Sequence, residues 1–444
     1  MSVRAALLLG AYNAASEIAW VSLNALARVN LVGRGWRLDQ RAGRYDIPQG
    51  PAGGFDRSSP GVWIHAASVG EARAAGALAG SLSKRMPDVR VMLSVLTTAG
   101  LDSARRKTPE IDDIIQAPVD LKGPVRRTLS WFDPSLVVFI ETEIWPNMII
   151  EPRKRGASTA IVSGRISQRS FERYKLVGPL MAHVLSAVTC VAARTEADKE
   201  RFCRLGLDPA KVRVTGDVKL DAELPAAPPE VPAWLPGIAG EAGGLLFCAG
   251  STRPGEEEEV AKAVLSARKT LGEGPTVVIA PRHIERAASV CESLEKLGFQ
   301  TARRTALSPG GWKTGPGPRA LVLDTIGELT GVYAGCDVAF VGGTLAPHGG
   351  HNLAEPAAVG VPVLFGPHVS NTLIAAERLT ESGGGIMVSG AAELSAKLIK
   401  LLSDSEERSR RGAAAREAIR SLQGAAERTV DFLEESGALG GRPQ

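Results

Sequence analysis

Short apolar runs alternate with longer helical patterns along most of the chain, and this alternation constrains the fold more than any other feature. One series of runs reads VWIHAA, VMLSVL, LVVFIE, TAIVSG, VTCVAA and VRVTG, and a second reads LLFCAG, TVVIAP, ALVLD, VAFVGG, VPVLFG and GIMVSG. Strands that are apolar throughout belong to parallel sheets covered by helices on both faces. Each series therefore predicts a doubly wound α/β domain with right-handed crossovers.

The segment between the two series, DAELPAAPPEVPAWLPGIAGEAGG, is rich in proline and has no sustained period, as is typical of a linker. A length of 444 residues fits two large domains with an additional segment. We therefore predict an α/β fold of two Rossmann-like domains that face a central cleft, preceded by a membrane-associated helix. The predicted parts are a membrane-associated segment (1–45), an N-terminal Rossmann-like domain (46–220), a linker (221–244), a C-terminal Rossmann-like domain (245–436) and a polar tail (437–444).

The composition excludes several classes of protein. Hydrophobic residues make up 44% and charged residues 23%, which excludes a disordered chain, a coiled coil and a polytopic membrane protein. The net charge of only +4 and the 5% aromatic content disfavour nucleic-acid binding. The five cysteines form no CxxC pair, so neither a disulfide framework nor a zinc site is indicated, and a reducing cytoplasm fits best. Cys190 and Cys248 lie in apolar runs and are expected to be buried and unreactive.

The first 45 residues give a marginal membrane signal. Residues 5–27 are mostly apolar but include Asn13, Ser16 and Glu17. A spanning helix, a helix in the membrane interface and a helix packed on the protein's own surface all fit this pattern. No cleavage motif directly follows, and a basic tract predicts that the rest of the chain stays on the cytoplasmic side. That tract comprises Arg28, Arg34, Arg37, Arg41 and Arg44.

Polar side chains follow several strands of the first series. HAASVGEARA (65–74) places Ser68, Gly70 and Glu71 where a strand gives way to a helix, at the edge of the sheet where such folds bind ligands. The Ser-x-x-Glu spacing also fits a capping box, and AASVG is a degenerate form of the hydrolase nucleophile elbow.

Two further motifs lead to the same edge of the first sheet. FIETEIWPNM supplies Glu141 and Glu143, which either serve chemistry or cap the helix that opens at Trp145-Pro146. VTGDVKL delivers Lys219 just after a strand, where a single lysine is usually solvated.

The second series carries turns suited to phosphate. In GSTRPGEEEE the four glutamates at a helix start are expected to form a solvated face. PRHIER places Arg282 and His283 at a strand-to-helix turn, and DTIGEL and GGTLAPHGGHNLAEP repeat that geometry. In the last motif Asn352 and Glu355 lie three residues apart, as a pair that can contact a ribose. No GxGxxG follows a strand and no GxxxxGK[ST] occurs, which disfavours a dehydrogenase and excludes P-loop chemistry.

Taken together, these motifs resemble the bacterial 3-deoxy-D-manno-octulosonic acid (Kdo) transferases from about residue 10 to residue 430. The resemblance implies an inverting glycosyltransferase of the GT-B fold that moves Kdo from CMP-Kdo onto a lipid A precursor at the cytoplasmic face of the inner membrane. An anionic, amphiphilic acceptor would be met at the membrane surface, which suits the N-terminal segment. The motifs are HAASVGE, FIETEIWPN, SGRIS.RS, VTGDVKL, GSTRPGEE, PRHIER, TIGEL and VGGTLAPHGGHNLAEPAAVGVPVLFGPH.

The resemblance also assigns acceptor binding to the N-terminal domain and CMP-sugar binding to the C-terminal domain, and it assigns roles to residues. Glu71 is implied as the general base, and Glu141 and Lys219 are implied as transition-state stabilisers. No metal and no cofactor is implied, because helix amides and Arg282 can meet the charge of the leaving phosphate. The partners implied are CMP-Kdo, the lipid A precursor and the membrane surface. The residues implied in CMP and substrate binding are Pro281, Arg282, Ile326, Gly327, Glu328, Asn352, Leu353, Ala354 and Glu355.

Three alternatives remain open at this point. Another GT-B transferase, using a UDP-sugar and a lipid-linked acceptor, would share the second domain. An α/β-hydrolase would use Ser68 as nucleophile and a distal histidine such as His351, although no oxyanion-hole loop precedes the elbow. A noncatalytic protein would bind the nucleotide sugar or a lipid and release no CMP.

Overall fold

The computed structural model describes residues 2–28, 38–44, 59–223, 229–239, 244–307, 312 and 317–440. The chain divides into a first domain, Met1–Glu223 with Gln423–Gln444, and a second domain, Leu224–Leu422. Each domain contains a seven-stranded sheet, and every described strand pair in the two sheets is parallel. The predicted α/β architecture is confirmed. Arg34, Arg37 and parts of the predicted linker and tail lie outside the described residues.

The first sheet has the strand order β3-β2-β1-β4-β5-β6-β7. Its strands are β1 (Gly61–Ala66), β2 (Arg90–Val95), β3 (Asp113–Gln116), β4 (Leu136–Ile140), β5 (Ser158–Gly164), β6 (Cys190–Ala193) and β7 (Val212–Val214). The helices are α1 (Val3–Arg28), α2 (Leu38–Arg41), α3 (Val69–Arg85), α4 (Thr98–Lys107), α5 (Lys122–Phe132), α6 (Pro146–Lys154), α7 (Gln168–Leu176), α8 (Gly178–Ser186), α9 (Glu196–Arg204) and α10 (Val218–Glu223).

The second sheet has the strand order β10-β11-β9-β8-β12-β13-β14. Its strands are β8 (Leu246–Thr252), β9 (Thr276–Pro281), β10 (Gln300–Arg303), β11 (Arg319–Val322), β12 (Val338–Val341), β13 (Val363–Phe365) and β14 (Gly385–Met387). The helices are α11 (Leu235–Ala239), α12 (Glu256–Leu271), α13 (Ala287–Lys296), α14 (Leu329–Ala334), α15 (Ala354–Ala358), α16 (Leu373–Ser382), α17 (Ala391–Ser403) and α18 (Ser405–Arg420).

The strand order decides where each domain can bind a ligand. Connections leave in opposite directions from β1 and β4 in the first sheet, and from β8 and β12 in the second. Open α/β sheets bind ligands outside the carboxyl ends of the strands at such a switch point. β1 and β4 lead directly into HAASVGE and FIETEIWPN, and β8 and β12 lead into GSTRPGEE and GGTLAPHGG. The topology therefore delivers the most distinctive motifs of each domain to its switch point.

Every predicted apolar run contains a strand, but the strands β3 and β10 were not predicted. Both lie at an edge of their sheet, and β10 (QTAR) is only partly buried. An edge strand is paired on one side only, so it does not need the continuous apolar sequence on which the prediction relied. Cys190 and Cys248 are fully buried, as predicted, and burial raises the pKa of each thiol.

The predicted linker is not wholly irregular. Residues 218–223 form α10, and Leu235 and Ile238 of α11 are buried in a core cluster of the second domain. The last helix, α19 (Ala425–Glu435), packs against α3 of the first domain instead of extending the second, so the predicted boundary at residue 436 differs from the structure. The reason is that Val430, Phe432 and Leu433 complete a core cluster on one face of the first sheet.

A carboxylate at the start of the predicted linker fixes the position of α19. Asp221 accepts hydrogen bonds from Gly424 N (2.8 Å) and Ala426 N (2.7 Å) at the start of α19, whose own N-cap residue is glycine. We expect Asp221→Ala to lower the free energy of unfolding by about 1–2 kcal/mol, because it leaves helix-start amides without an acceptor. Chemical denaturation followed by circular dichroism measures this. Glu427→Ala, which removes an exposed carboxylate from the same turn, is the control, and equal losses in the two variants would contradict this role of Asp221.

Candidate active site

Glu71 is held by the turn between β1 and α3. Ser68 is the N-cap of α3, and its hydroxyl accepts from Glu71 N (3.3 Å) and donates to Glu71 Oε1 (2.8 Å). Ala67 N donates to Glu71 Oε2 (2.8 Å), which completes a capping box. The Ser68 hydroxyl is thus engaged with a carboxylate rather than with a histidine, and this geometry does not support the hydrolase alternative.

The environment of Glu71 favours a carboxylate that binds a proton readily. The side chain is buried, and this burial raises its pKa above the ordinary value of glutamate. The hydrogen bonds from Ala67 and Ser68 act in the opposite direction without cancelling the effect. The neighbouring charges of Glu141 and Lys219 also act on this pKa, so the three predicted catalytic residues lie close together. A base with a raised pKa is suited to removing a proton from a hydroxyl group.

Lys219 and Glu141 form an ion pair beside Glu71. Lys219 Nζ contacts Glu141 Oε1, and the lysine also lies against Gly70, where an added Cβ would be 3.7 Å from Nζ. Lys219 is therefore not the solvated lysine that its position after a strand suggested. Glu141 has a left-handed backbone, with φ of 61°, which is uncommon for a residue other than glycine and concentrates at functional sites. The Glu141 carboxylate thus contacts Lys219 from a strained backbone position.

Two further residues, not predicted from sequence, hold Lys219 in place. Lys219 N donates to Asp217 Oδ1 (3.0 Å), and Val218 N donates to the hydroxyl of Ser163 (2.9 Å) at the end of β5. Ser163 also has a left-handed backbone, with φ of 52°. The single signal in the sequence was the SGRIS.RS motif, which gives no indication of a contact with residue 218.

Glu143 points to a different part of the same edge. Its Oε2 accepts from Trp145 Nε1 (2.6 Å) and lies 3.7 Å from His65 Nε2. Burial raises the pKa of Glu143, but the effects of His65 and Trp145 outweigh it, so the pKa lies below the ordinary value and the carboxylate is ionised. His65 is buried on β1, and its Nδ1 lies 2.9 Å from the hydroxyl of Ser94. The sequence did not indicate this pair, because a histidine inside an apolar strand resembles a core residue.

In the second domain, the four glutamates at the start of α12 were predicted to form a solvated face. This prediction is wrong for the first two of them. Glu256 and Glu257 are only 2% and 3% exposed. Glu256 accepts from the amides of Gly343, Thr344 and Leu345 (2.7–3.0 Å), which follow β12. The carboxylate supplies an acceptor for three backbone amides that would otherwise lack one. These hydrogen bonds offset the cost of burying the Glu256 charge. Glu256 thereby fixes the GGTL turn at the switch point.

Basic side chains gather at the same switch point of the second domain. Arg253 donates from Nε to His351 Nε2 (3.2 Å), and its Nη1 lies 3.1 Å from His283 Nε2. Burial and the nearby charges of Arg253, Arg282, His348 and His283 lower the pKa of His351 to about 4. Such a concentration of positive charge suits an anionic ligand such as a phosphate. We call Arg253, Arg282, His283, His348 and His351 the basic cluster.

The other predicted nucleotide-binding residues occupy two turns of the second domain. Ile326 is 85% exposed and Gly327 has a left-handed φ of 96°, so an apolar side chain and free backbone stand side by side after β11. The neighbouring Glu328 accepts from Trp234 Nε1 (2.8 Å) and Arg304 Nε (3.1 Å). Burial raises its pKa, but these bonds and one from Thr325 outweigh burial, so its pKa is lowered. Its carboxylate therefore positions the turn.

The second turn lies before α15. Asn352 Oδ1 accepts from Ala354 N (2.9 Å), and its Nδ2 donates to Glu355 Oε1 (3.3 Å). Leu353 and Ala354 are fully buried, so neither presents an exposed side chain to a ligand. Pro281 is buried at the end of β9, whereas the adjacent Arg282 is exposed. Among the described residues, no group of three or more His, Cys, Asp or Glu side chains is arranged to hold a metal ion.

The position of His351 in the basic cluster predicts that its pKa changes when an anion binds. We expect His351 to titrate near pH 4 in the free protein and at a higher pH when a phosphate monoester such as CMP is bound, because a nearby negative charge favours the imidazolium. NMR spectroscopy of histidine-labelled protein measures both values. Cytidine, which lacks the phosphate, should leave the pKa unchanged, and an unchanged value with saturating CMP would contradict an anion site here.

Comparison with known proteins identifies the family to which the sequence is similar. Residues 36–222 match the family model described as 3-deoxy-D-manno-octulosonic-acid transferase (kdotransferase). The chain is 34% identical to the 3-deoxy-D-manno-octulosonic acid transferase of Bordetella pertussis, over 84% of this chain and 87% of that protein. It is 31% identical to the corresponding transferase of Haemophilus influenzae, over 90% of this chain and 91% of that protein.

Solved structures show the same fold at low sequence identity. A glycosyltransferase from Rickettsia africae superposes with a TM-score of 0.57 at 13% identity, covering 85% of this chain and 98% of that one. The UDP-GlcNAc 2-epimerase from Neisseria meningitidis gives 0.56 at 12% identity, covering 84% and 100%. The fold is thus the GT-B arrangement of two doubly wound α/β domains. With its relatives in sequence, this establishes that the chain is a glycosyltransferase and belongs to the Kdo transferase family.

Proposed function

We propose that this protein transfers Kdo from CMP-Kdo onto a lipid A precursor of the lipid IVA type, in lipopolysaccharide biosynthesis, with inversion at the anomeric carbon. The observation that carries the proposal is the buried Glu71 carboxylate, fixed by Ser68 and Ala67 beside the Lys219–Glu141 ion pair. A carboxylate held at a switch point and tuned toward higher proton affinity is the group that activation of an acceptor hydroxyl requires.

In the proposed step, Glu71 takes the proton from a hydroxyl group of the acceptor sugar as its oxygen attacks the anomeric carbon of Kdo. The new bond joins that oxygen to the anomeric carbon, and the bond from the anomeric carbon to the CMP phosphate oxygen breaks. The leaving phosphate retains the electron pair, and the proton stays on Glu71. Lys219 and Glu141 stabilise the charge that develops at the reacting centre.

The basic cluster supports an anionic donor. Arg253 and Arg282 are the guanidinium groups that we assign to the charge of the departing CMP, because guanidinium groups remain charged and bind phosphate in a bidentate manner. The turn of Ile326, Gly327 and Glu328 and the turn of Asn352–Glu355 are proposed to hold the nucleoside. Since these side chains supply the positive charge, we expect transfer to proceed in the presence of excess chelator.

The N-terminal helix supports action at a membrane. α1 contains a stretch, Val3–Ala25, that is long and apolar enough to cross a bilayer. However, Tyr12 OH donates to Asp120 (2.7 Å) and Asn13 Oδ1 accepts from Asn147 (2.8 Å), both in the first domain. These contacts favour a helix that lies in the interface against its own domain. We propose the cytoplasmic face of the inner membrane as the site of action.

The direct test is mass spectrometry of a lipid A precursor incubated with CMP-Kdo and excess chelator. The wild-type protein is expected to add Kdo, and Glu71→Gln is expected to lose about 10²–10⁴-fold of the rate, because an amide cannot accept the proton but still preserves the capping box. CMP binding should be retained by the variant. A wild type that binds CMP and forms no product, or a fully active Glu71→Gln variant, would overturn the proposal.

The decrease of kcat/KM at low pH is expected to depend on the ionisation of Glu71. Ionised Glu71 is the base, so kcat/KM falls as the pH decreases through its pKa, which burial raises above the ordinary value of glutamate. The Ser68 hydroxyl stabilises the ionised form. We therefore expect Ser68→Ala to raise this pKa and to move the acid limb of kcat/KM to higher pH.

A matched control separates this effect from the loss of a helix cap. Thr195 caps α9 in the same way, accepting from Asp198 N (3.1 Å) and donating to Asp198 Oδ2 (2.7 Å). Thr195→Ala is expected to destabilise the protein to a similar extent, by about 1 kcal/mol, without moving the acid limb. Superimposable profiles for Ser68→Ala and the wild type would argue against Glu71 as the titrating base.

A further inference from the structure

A cavity of about 600 Å³ lies in the first domain between α1 and the carboxyl ends of the central strands. This volume is in the range of ligand sites, which are roughly 300–1,000 Å³. Its walls are mainly apolar, and they come from α1, from the segments after β2 and β3, and from the start of α6. The apolar residues that line it include Ala19, Trp20, Leu23, Leu96, Val119 and Met148.

The wall formed by α1 is held in a fixed position. Asp120 is buried and accepts from Tyr12 OH on α1, and also from the amides of Asn147 and Met148 at the start of α6 (3.1 and 2.7 Å). Asn147 in turn donates to Asn13 of α1. Tyr12 and Asn13, which interrupt the apolar segment, therefore face the domain. These hydrogen bonds therefore hold α1 in place as one wall of the cavity.

The opposite side of α1 is apolar and exposed. Val3, Leu7, Ile18 and Val21 are 67–78% exposed, although each is a large hydrophobic residue. A helix with such an outer face is suited to the boundary between head groups and acyl chains of a bilayer. One side of the helix thus faces an apolar cavity, and the opposite side suits lipid.

One polar residue of the cavity wall belongs to the strand that leads into the Glu71 turn. His65 of β1 lines the cavity, and Ala67, whose amide donates to Glu71, follows directly after the end of β1. His65 Nε2 is buried and has no hydrogen-bond partner, with Glu143 3.7 Å away. A buried donor or acceptor without a partner is costly, and a polar atom of a ligand would satisfy it. A ligand here needs a long apolar part and a polar part that reaches His65.

We propose that this cavity binds one fatty acyl chain of the lipid acceptor, with α1 as its outer wall, and so presents the acceptor's sugar hydroxyl to Glu71. The proposal rests on the proposed function, because that function requires a lipid-linked acceptor. The acceptor fits better than a bulk phospholipid, because the cavity is lined by His65 of β1, the strand that leads into the turn holding Glu71. Arg41 in the wall, which donates to Leu96 O (2.6 Å), adds a positive charge suited to an anionic lipid.

The test fills the cavity in the full-length, detergent-solubilised protein. Ala19→Phe adds an aromatic ring inside the cavity, and Ile18→Phe, on the exposed side of the same helix, is the matched control. For a fully acylated acceptor, we expect Ala19→Phe to raise KM by about tenfold or more, since overfilling a packed space is unfavourable. A deacylated acceptor should show no change in either variant. Val119→Phe fills the cavity from another wall and guards against a folding defect specific to Ala19→Phe.

A binding measurement distinguishes this inference from the proposed function. An acceptor with brominated acyl chains should quench the fluorescence of Trp20, which lines the cavity, in the absence of any sugar donor. Trp20→Phe identifies the signal, and Ala19→Phe should abolish the quenching. If the wild type binds this probe but transfers Kdo to neither acceptor, the proposed function fails and the acyl site stands.

Two results would overturn the inference. One is an equal effect, or no effect, of Ala19→Phe and Ile18→Phe on KM and on quenching. The other is quenching of Trp20 by brominated phospholipid vesicles as strong as that by the acceptor, with vesicle binding weakened in parallel by Ala19→Phe. That second result would assign the cavity to membrane lipid.

Discussion

The burial of two all-parallel sheets on both faces is the constraint on which the rest of the structure depends. Strands such as β1 and β4 are buried along their whole length, so their side chains are almost all apolar. Charged groups are then placed at the ends of such strands, and at the carboxyl ends helix-start amides and strand termini can satisfy them. Glu141 follows β4 directly, and Glu71 and Lys219 lie in the first turns of the helices after β1 and β7, as a consequence of how the sheet is covered.

The two domains balance charge in opposite ways. At the switch point of the first domain, carboxylates are held by local amides and by Lys219. Burial raises the pKa of Glu71, although its hydrogen bonds act in the opposite direction. In the second domain, burial and the charges of Arg253 and Arg282 lower the pKa of His351. Glu256, the buried carboxylate nearby, is occupied by backbone amides. One domain is thus suited to moving a proton and the other to holding an anion.

Much of the fold was predictable because the information is local and repetitive. Continuous apolar strands predicted the parallel sheets, and the Ser-x-x-Glu spacing predicted the capping box at Ser68 and Glu71, since a cap involves residues three apart in the chain. The edge strands β3 and β10 escaped prediction because partial burial does not require an apolar run. The candidate site was identified by the resemblance of its motifs, whereas physical reasoning alone left capping and catalysis equally open for Glu141 and favoured solvation for Lys219.

The sequence by itself determined the class of fold, the residues at the strand ends and the apolar character of α1. Tertiary structure alone decided the pairing of Lys219 with Glu141, the burial of Glu256 under the GGTL turn, the return of α19 to the first domain and the cavity beneath α1. The physical reason is that each of these joins segments far apart in the chain. Their contacts depend on strand order and helix packing, and no local pattern of residues encodes them.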